Sequence, residues 1–300
     1  MPNTPKNVKF QYALLVYEDE QGRQKTFDFE AWLNRMIQVP YEDRVKQVYT
    51  CLIRLENCQA KDERDGLIGL NFLRLRDTNI PFRVPKAEAA EDLDIADDEY
   101  VGEGVHIVYD TNARYFMIQV NRFSVSLNSI AAYINQTNSD PTQIVHFKSF
   151  HKNLNTSAMR FGRYKAIEIG LANVGALAEE VQSGPLGCIL SAAQDYDGHT
   201  VKIRISVGRT RRKSLKKSRV AQFVQALPEL EGLVSTAKLT YCEGDMEKGE
   251  ELNLLDLLEY SVLALEIKDR KPLDFDYTIR CMKQEYLNKK QTLDRMLNKE

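Results

Sequence analysis

The chain has 300 residues, 43% hydrophobic and 28% charged, with a formal net charge of −2; that is enough for one large or two ordinary cores and excludes disorder throughout. No apolar run reaches the roughly 20 residues of a membrane span, and the opening MPNTPKNVKF has no apolar h-region, so a cytoplasmic protein is expected. The near-neutral total hides segregation: residues 1–140 hold 16 basic and 22 acidic side chains, residues 141–220 hold 14 and 5, and residues 221–300 hold 11 and 16. A basic island in mid-chain points to a polyanionic partner.

The five cysteines, Cys51, Cys58, Cys188, Cys242 and Cys281, show no CxxC spacing, which fits reduced thiols. His106, His146, His151 and His199 are scattered and lack an HExxH arrangement. No metal site and no cofactor is therefore expected.

Phe10 to Tyr17 reads as an opening strand, with Lys25 to Phe27 as a returning one. Asp28 is placed to cap the helix FEAWLNRMI, which carries the single tryptophan, Trp32, on its apolar side. Pro40 ends that helix; between Tyr41 and Leu55 the periodicity fits a helix or a strand equally. Arg64 to Gly66 then turns into the strand GLNFLRLRD.

Residues 86–103 hold eight carboxylates, among them Asp92, Asp94, Asp97 and Asp98. The spacing lacks the glycine of a calcium loop, so an exposed acidic loop is expected, one that can mimic phosphate and compete for the basic island. VHIVYDTNARYFMIQV reads as a hairpin turning at DTNAR. Ser124 or Ser126 then caps a helix whose stripe is Leu127, Ile130, Ala131 and Ile134. Asn121 and Arg122, at the junction, sit where an anion could be met.

NQTNSDPTQ is polar and contains Pro141, which marks a boundary between an N-terminal α+β domain, residues 1–138, and a C-terminal one, residues 142–300. In the second, IVHFKS and RYKAIEIGLA read as strands. Asn173 opens a short helix, and LGCILSAAQDY follows as another.

The stretch His199 to Leu227 carries the densest signal. Val201, Ile203, Ile205 and Val207 alternate with Lys202, Arg204 and Ser206, so the polar face of this strand is basic. Then come Arg209, Arg211, Arg212, Lys213, Lys216, Lys217 and Arg219, seven cations in eleven residues with no acidic neighbour. Val220, Phe223, Val224 and Leu227 recur at helical spacing. Cations at a helix N-terminus oppose its dipole, and an external phosphate would relieve that conflict. A further strand, AKLTYC, completes an α+β pattern of mixed or antiparallel sheets.

LNLLDLLEYSVLALEIKD is apolar throughout, and without turn residues a continuous helix is favoured. Asp274 or Asp276 opens a long last helix in which Ile279, Met282, Tyr286, Leu293 and Met296 form a stripe interrupted at Lys289. The stripe can pack on the body or on a second copy, so a homodimer and a partner protein both remain as assemblies.

The run GEGVHIVYDTNARYFMIQVNRFSVSLNSIAAYIN resembles the signature of an uncharacterised bacterial and prophage-associated family, through its VYD strand, QVNR strand and YI helix. In size and organisation the chain is also similar to DNA-binding components of phage-exclusion systems of the RexA and Kiwa types. That resemblance implies a role in anti-phage defence and supplies no catalytic residue.

Asp256 with Glu266, Ile267 and Lys268 resembles the D…ExK pattern of Mg²⁺-dependent nucleases, but a continuous helix would hold Asp256 and Glu266 about 15 Å apart. No GxxxxGK[ST], GxGxxG or GxSxG motif is present. The expected function is non-catalytic, sequence-independent nucleic-acid binding, DNA before RNA, through Lys202, Arg204 and the seven cations of the loop. The alternatives are a protein-interaction or sensor subunit of a defence complex, and the nuclease.

Overall fold

The computed structural model describes residues 4–121, 123–150, 163–172, 200–208, 210, 213–226, 234–242, 249–254, 258–269 and 271–297. Its architecture is mixed α+β, with two antiparallel sheets and, among the described residues, four helices.

The larger sheet has nine strands and is organised on β1 (Thr4–Glu18). From one edge the order is β13 (Tyr260–Ile267), β1, β7 (Tyr115–Gln119), β6 (Val101–Asp110), β5 (Leu67–Arg76), β4 (Cys51–Cys58) and β3 (Lys46–Val48). β2 (Gln24–Thr26) and β8 (Val145–Ser149) also pair with β1. The segment that periodicity leaves open, residues 41–55, thus supplies β3 and most of β4, joined by a tight turn with Tyr49 at φ 52°.

Alternation along β1 explains how both faces are covered. Ala13 and Leu15 face α1 (Phe29–Met36) and α2 (Leu127–Thr137), while Val8, Phe10 and Tyr12 face α4 (Phe275–Leu297). The first layer is aromatic-rich, with Phe29 in contact with Trp32, Tyr109 and Phe116, and Tyr109 with Phe116. Asp28 caps α1 by accepting from Ala31 N at 3.1 Å, and Ser126 caps α2 by accepting from Ser129 N at 3.1 Å.

The stripe of α4 packs on the sheet itself. Ile279, Met282, Tyr286 and Leu293 are all buried there. Asp274 caps the helix, accepting from Tyr277 N at 2.9 Å. Gly69 of β5 allows the close approach, since a Cβ there would collide with Ile279. The break in the stripe has a cause: Lys289 meets the buried carboxylate of Glu259, and Lys290 reaches Asp110 at 2.7 Å.

The continuous helix expected across residues 252–269 is not formed. Tyr260–Ile267 is strand β13, paired with β1 from Thr4↔Ile267 to Gln11↔Tyr260. The period of two is obscured because β13 is an edge strand: Ser261 and Leu265 turn inward, but Val262 and Ala264, also apolar, lie on the open face.

The smaller sheet has the order β10 (Thr200–Ser206), β9 (Arg163–Ala172), β11 (Val234–Cys242) and β12 (Glu250–Asn253). Its core joins Tyr164, Ile167, Ile169, Leu171, Ala237 and Leu239 to Val220 of α3 (Lys217–Ala226). The large sheet draws β8 and β13 from beyond residue 142. The helices expected after Asn173 and over LGCILSAAQDY lie outside the described residues.

Candidate nucleic-acid interface and a polar cleft

The loop between β10 and α3 is tied down at several points. Val207 N donates to Lys165 O at 2.9 Å, and Leu215 N donates to Tyr164 O at 2.8 Å. Tyr164 N donates to Ser214 Oγ at 2.9 Å. The Lys165 ammonium donates to the carbonyls of Thr210 (3.3 Å) and Lys213 (2.8 Å), inside the arc of the loop. Gly208, at φ 64°, makes the turn out of β10. This anchoring leaves Lys213, Lys216, Lys217 and Arg219 exposed beside the first turn of α3, which contains no acidic residue. Arg209, Arg211 and Arg212 lie outside the described residues.

Lys202 and Arg204 stand on the open face of the small sheet, and both meet Glu168 of β9, at 2.9 and 3.1 Å. The hydrogen bond from Lys202 leads the effects that hold the Glu168 carboxyl below its ordinary range, with Arg204 adding to it against some burial. On β11, Lys238 pairs with Glu251 at 2.6 Å, which raises the Lys238 ammonium. Charges of alternating sign therefore cross this face, and the two strand cations already have a partner. The loop cations carry the basic character.

Asn121 serves the local fold, since its Nδ2 donates to Gly104 O at 3.2 Å and its Oδ1 accepts from Phe123 N at 3.2 Å. Arg122 lies outside the described residues. The acidic residues from Glu88 to Glu99 are exposed and their contacts are local, Glu91 with Arg83 at 3.6 Å and Glu99 with Ala96 N at 3.2 Å, whereas Glu103 belongs to β6 and pairs with Arg76 at 3.0 Å. Asp256 also lies outside the described residues. Glu266 is exposed on β13, where the facing residue of β1 is Pro5 and the next is Lys6, so that neighbour offers no second carboxylate. The helical separation argued from sequence no longer applies to this segment.

A second site emerges only from the tertiary structure. At the N-terminal end of α4 a cleft of about 1020 Å³ opens over the large sheet. Its floor is a row of polar side chains on three neighbouring strands: Gln119 on β7, His106 on β6 and Asn71 on β5, each 5–6% exposed. Asn71 and His106 are directly paired in register, and the β6–β7 register continued by one residue sets Gln119 on the other side.

The internal bonds of this row are specific. Gln119 Oε1 accepts from His106 N at 3.1 Å and meets His106 Nδ1 at 2.7 Å. An acceptor already facing one N–H calls for a second donor, so Nδ1 carries the proton and Nε2 keeps its lone pair. Burial pushes the imidazole below its ordinary value, opposed by the Gln119 contact and the Asp274 charge, which keeps it neutral near pH 7. A bulge in β4 between Leu55 and Cys58 turns Asn57 N toward Asn71 Oδ1, at 2.8 Å. Each amide oxygen is thus used internally. The signal in the sequence is three polar residues at strand positions where alternation calls for an apolar one.

An α+β protein with a basic loop on one sheet and a polar cleft on the other is the class these features define. The chain belongs to a family of unknown function, DUF6731, whose model matches residues 3–293. No curated protein matches the chain. Among the described residues, no helix is long and apolar enough to cross a membrane.

Proposed function

We propose that this protein binds nucleic acid without catalysis and without sequence preference, DNA before RNA, through the β10–α3 loop and the first turn of α3. The observation that carries the reading is the anchoring of the loop by Lys165, Tyr164 and Ser214, which holds exposed lysines together where the helix dipole is positive and the first turn contains no acidic residue. Phosphate oxygens relieve both the mutual repulsion and the conflict with the dipole. A role in anti-phage defence rests on the resemblance to phage-exclusion components, with no further support.

If five cations engage phosphate, log K falls with log salt at a slope of about −4 to −5 on duplex DNA. Replacing Arg211, Arg212, Lys216 and Lys217 with Glu abolishes binding at an unchanged thermal midpoint. A folded quadruple variant that still binds with wild-type affinity refutes the interface; retained binding with a slope near zero refutes the phosphate mechanism.

A further inference from the structure

The cleft on the large sheet is chemically distinct from the basic loop and independent of it. With both amide oxygens engaged, the Nδ2 group of Asn71, the Nε2 group of Gln119 and the bare Nε2 of His106 have no hydrogen-bond partner among the described residues, and all three side chains line the cleft. Across the three strands, the floor is donor, acceptor, donor. The three groups face the open cleft and none is among the sealed, unpartnered polar atoms of the core, so water can meet them and a ligand edge of acceptor, donor, acceptor is the complement that replaces it.

Charge at the rim narrows the class. Glu56 is paired with Arg54 at 2.7 Å, Glu103 with Arg76 at 3.0 Å, and Asp274 caps α4. Lys6 and Lys271 line the same cleft, and neither has an ion-pair partner among the described residues. Lys6 and Lys271 are therefore the cations left to meet an anion at the rim, where Asp274 keeps its negative charge. Two aromatic rings flank the floor: Phe275 stacks on His106 at 5.9 Å between centroids, and Phe123 stands 67% exposed at the mouth. An exposed phenylalanine beside a polar floor suits a flat ring.

A planar ring with an acceptor–donor–acceptor edge and an anionic tail is a uracil- or thymine-type nucleotide, whose imide N–H lies between two carbonyls. We propose that this cleft binds a pyrimidine nucleotide of the imide type, the ring edge bonded by Gln119, His106 and Asn71 and the phosphate held by Lys6 and Lys271. The cleft is within the size range of small-molecule sites. Cytosine presents no imide N–H to His106 Nε2, so the site discriminates between the two pyrimidines. Losing a matched hydrogen bond in a buried polar site discriminates strongly.

The test is calorimetric titration of the full chain with uridine monophosphate, cytidine monophosphate and uridine. Uridine monophosphate binds, cytidine monophosphate binds at least tenfold more weakly, and uridine is weakened by loss of the phosphate. Lys6→Gln with Lys271→Gln, at exposed positions, weakens uridine monophosphate at least tenfold and leaves uridine unchanged. His106→Phe removes the preference for uracil over cytosine. Because that buried variant can fail to fold, the preference is also followed against pH, and it declines as His106 gains a proton and Nε2 becomes a donor. No binding of uridine monophosphate at millimolar concentration, equal affinity for the two pyrimidine nucleotides, or a pH-independent preference overturns the proposal.

Discussion

The two sheets treat charge in opposite ways. In the large sheet both faces are covered, and the carboxylates that are buried have matched partners: Asp110, fully buried, accepts from Tyr286 Oη at 2.7 Å, from Asn112 N at 2.8 Å and from Ala113 N at 2.9 Å, and pairs with Lys290 at 2.7 Å. Under the same helix Tyr12 Oη and Ser261 Oγ lie 2.8 Å apart, and Ser261 Oγ donates to Glu285 at 2.6 Å. The small sheet buries one face against α3 and leaves Lys202, Arg204, Glu168, Lys238 and Glu251 on the other. A buried ion pair is strongly felt when one partner is removed, whereas an exposed one contributes little to stability and is screened by salt. Charge in the first region therefore positions α4, and charge in the second is paired at the surface, where it adds little to stability.

The largest effect expected from this contrast is at Asp110. Asp110→Ala leaves Lys290 and the Tyr286 hydroxyl without their partner beneath α4, and a loss of about 3–5 kcal/mol in urea unfolding is expected. The pH dependence follows the same residue. Burial acts to raise the Asp110 carboxyl, but the bonds from Lys290, the Ala113 and Asn112 amides and Tyr286 outweigh it and hold it below its ordinary value. Unfolding then takes up a proton, so this stability is complete above the ordinary carboxylate range and is lost as pH falls through the lower folded value. His106, also lowered, has the same sign in a higher window: its contribution is complete above the ordinary imidazole value and declines as pH falls below it. Midpoints measured from pH 3 to pH 8 should show the acid limb flattened in Asp110→Ala with the imidazole limb kept; an identical pH profile in both proteins contradicts the assignment.

A smaller loss is expected at Gly69. Gly69→Ala drives a methyl into Ile279 and forces α4 outward, a change of about 1–3 kcal/mol seen as a lower denaturation midpoint. Pairing it with Ile279→Ala, which removes both colliding Cγ atoms, should give a combined loss smaller than the sum of the two single losses if the collision is the cause, and strictly additive losses would point to the strand backbone instead.

At the other extreme, Glu168→Gln should leave the thermal midpoint where it is. It releases Lys202 and Arg204 from their shared partner, so DNA affinity should rise at low salt, mostly through faster association, and the gain should disappear at high salt. Unchanged or weaker DNA binding would mean that the open face of the small sheet lies outside the interface.

Much of the local structure is legible in the chain alone. The strand β10, the hairpin of β6 and β7, the caps Asp28 and Ser126 and the stripe of α4 follow from period and capping chemistry, which act between near neighbours. The α+β class follows from the same elements. β13 reads as a helix because an edge strand with apolar residues on both faces loses its period of two, and residues 41–55 stay undecided because β3 has only three residues and the second partner of β4, β5, lies beyond them in sequence.

Composition and short-range pattern by themselves determined many of the elements, though neither β13 nor β3 and β4, together with the exposed acidic loop and the existence of a basic stretch after β10. Tertiary structure decided which side chains meet. Asp110 reads in sequence as one more turn residue of the hairpin, and the chain places its partners Tyr286 and Lys290 more than 170 residues away. Asn71, His106 and Gln119 become one row only through the register of three strands, and Lys202 and Arg204 lose their apparent freedom only when β9 brings Glu168 beside them. Propensity and amphipathic period are properties of a few consecutive residues, whereas a hydrogen bond or ion pair between strands depends on a register that no local stretch contains.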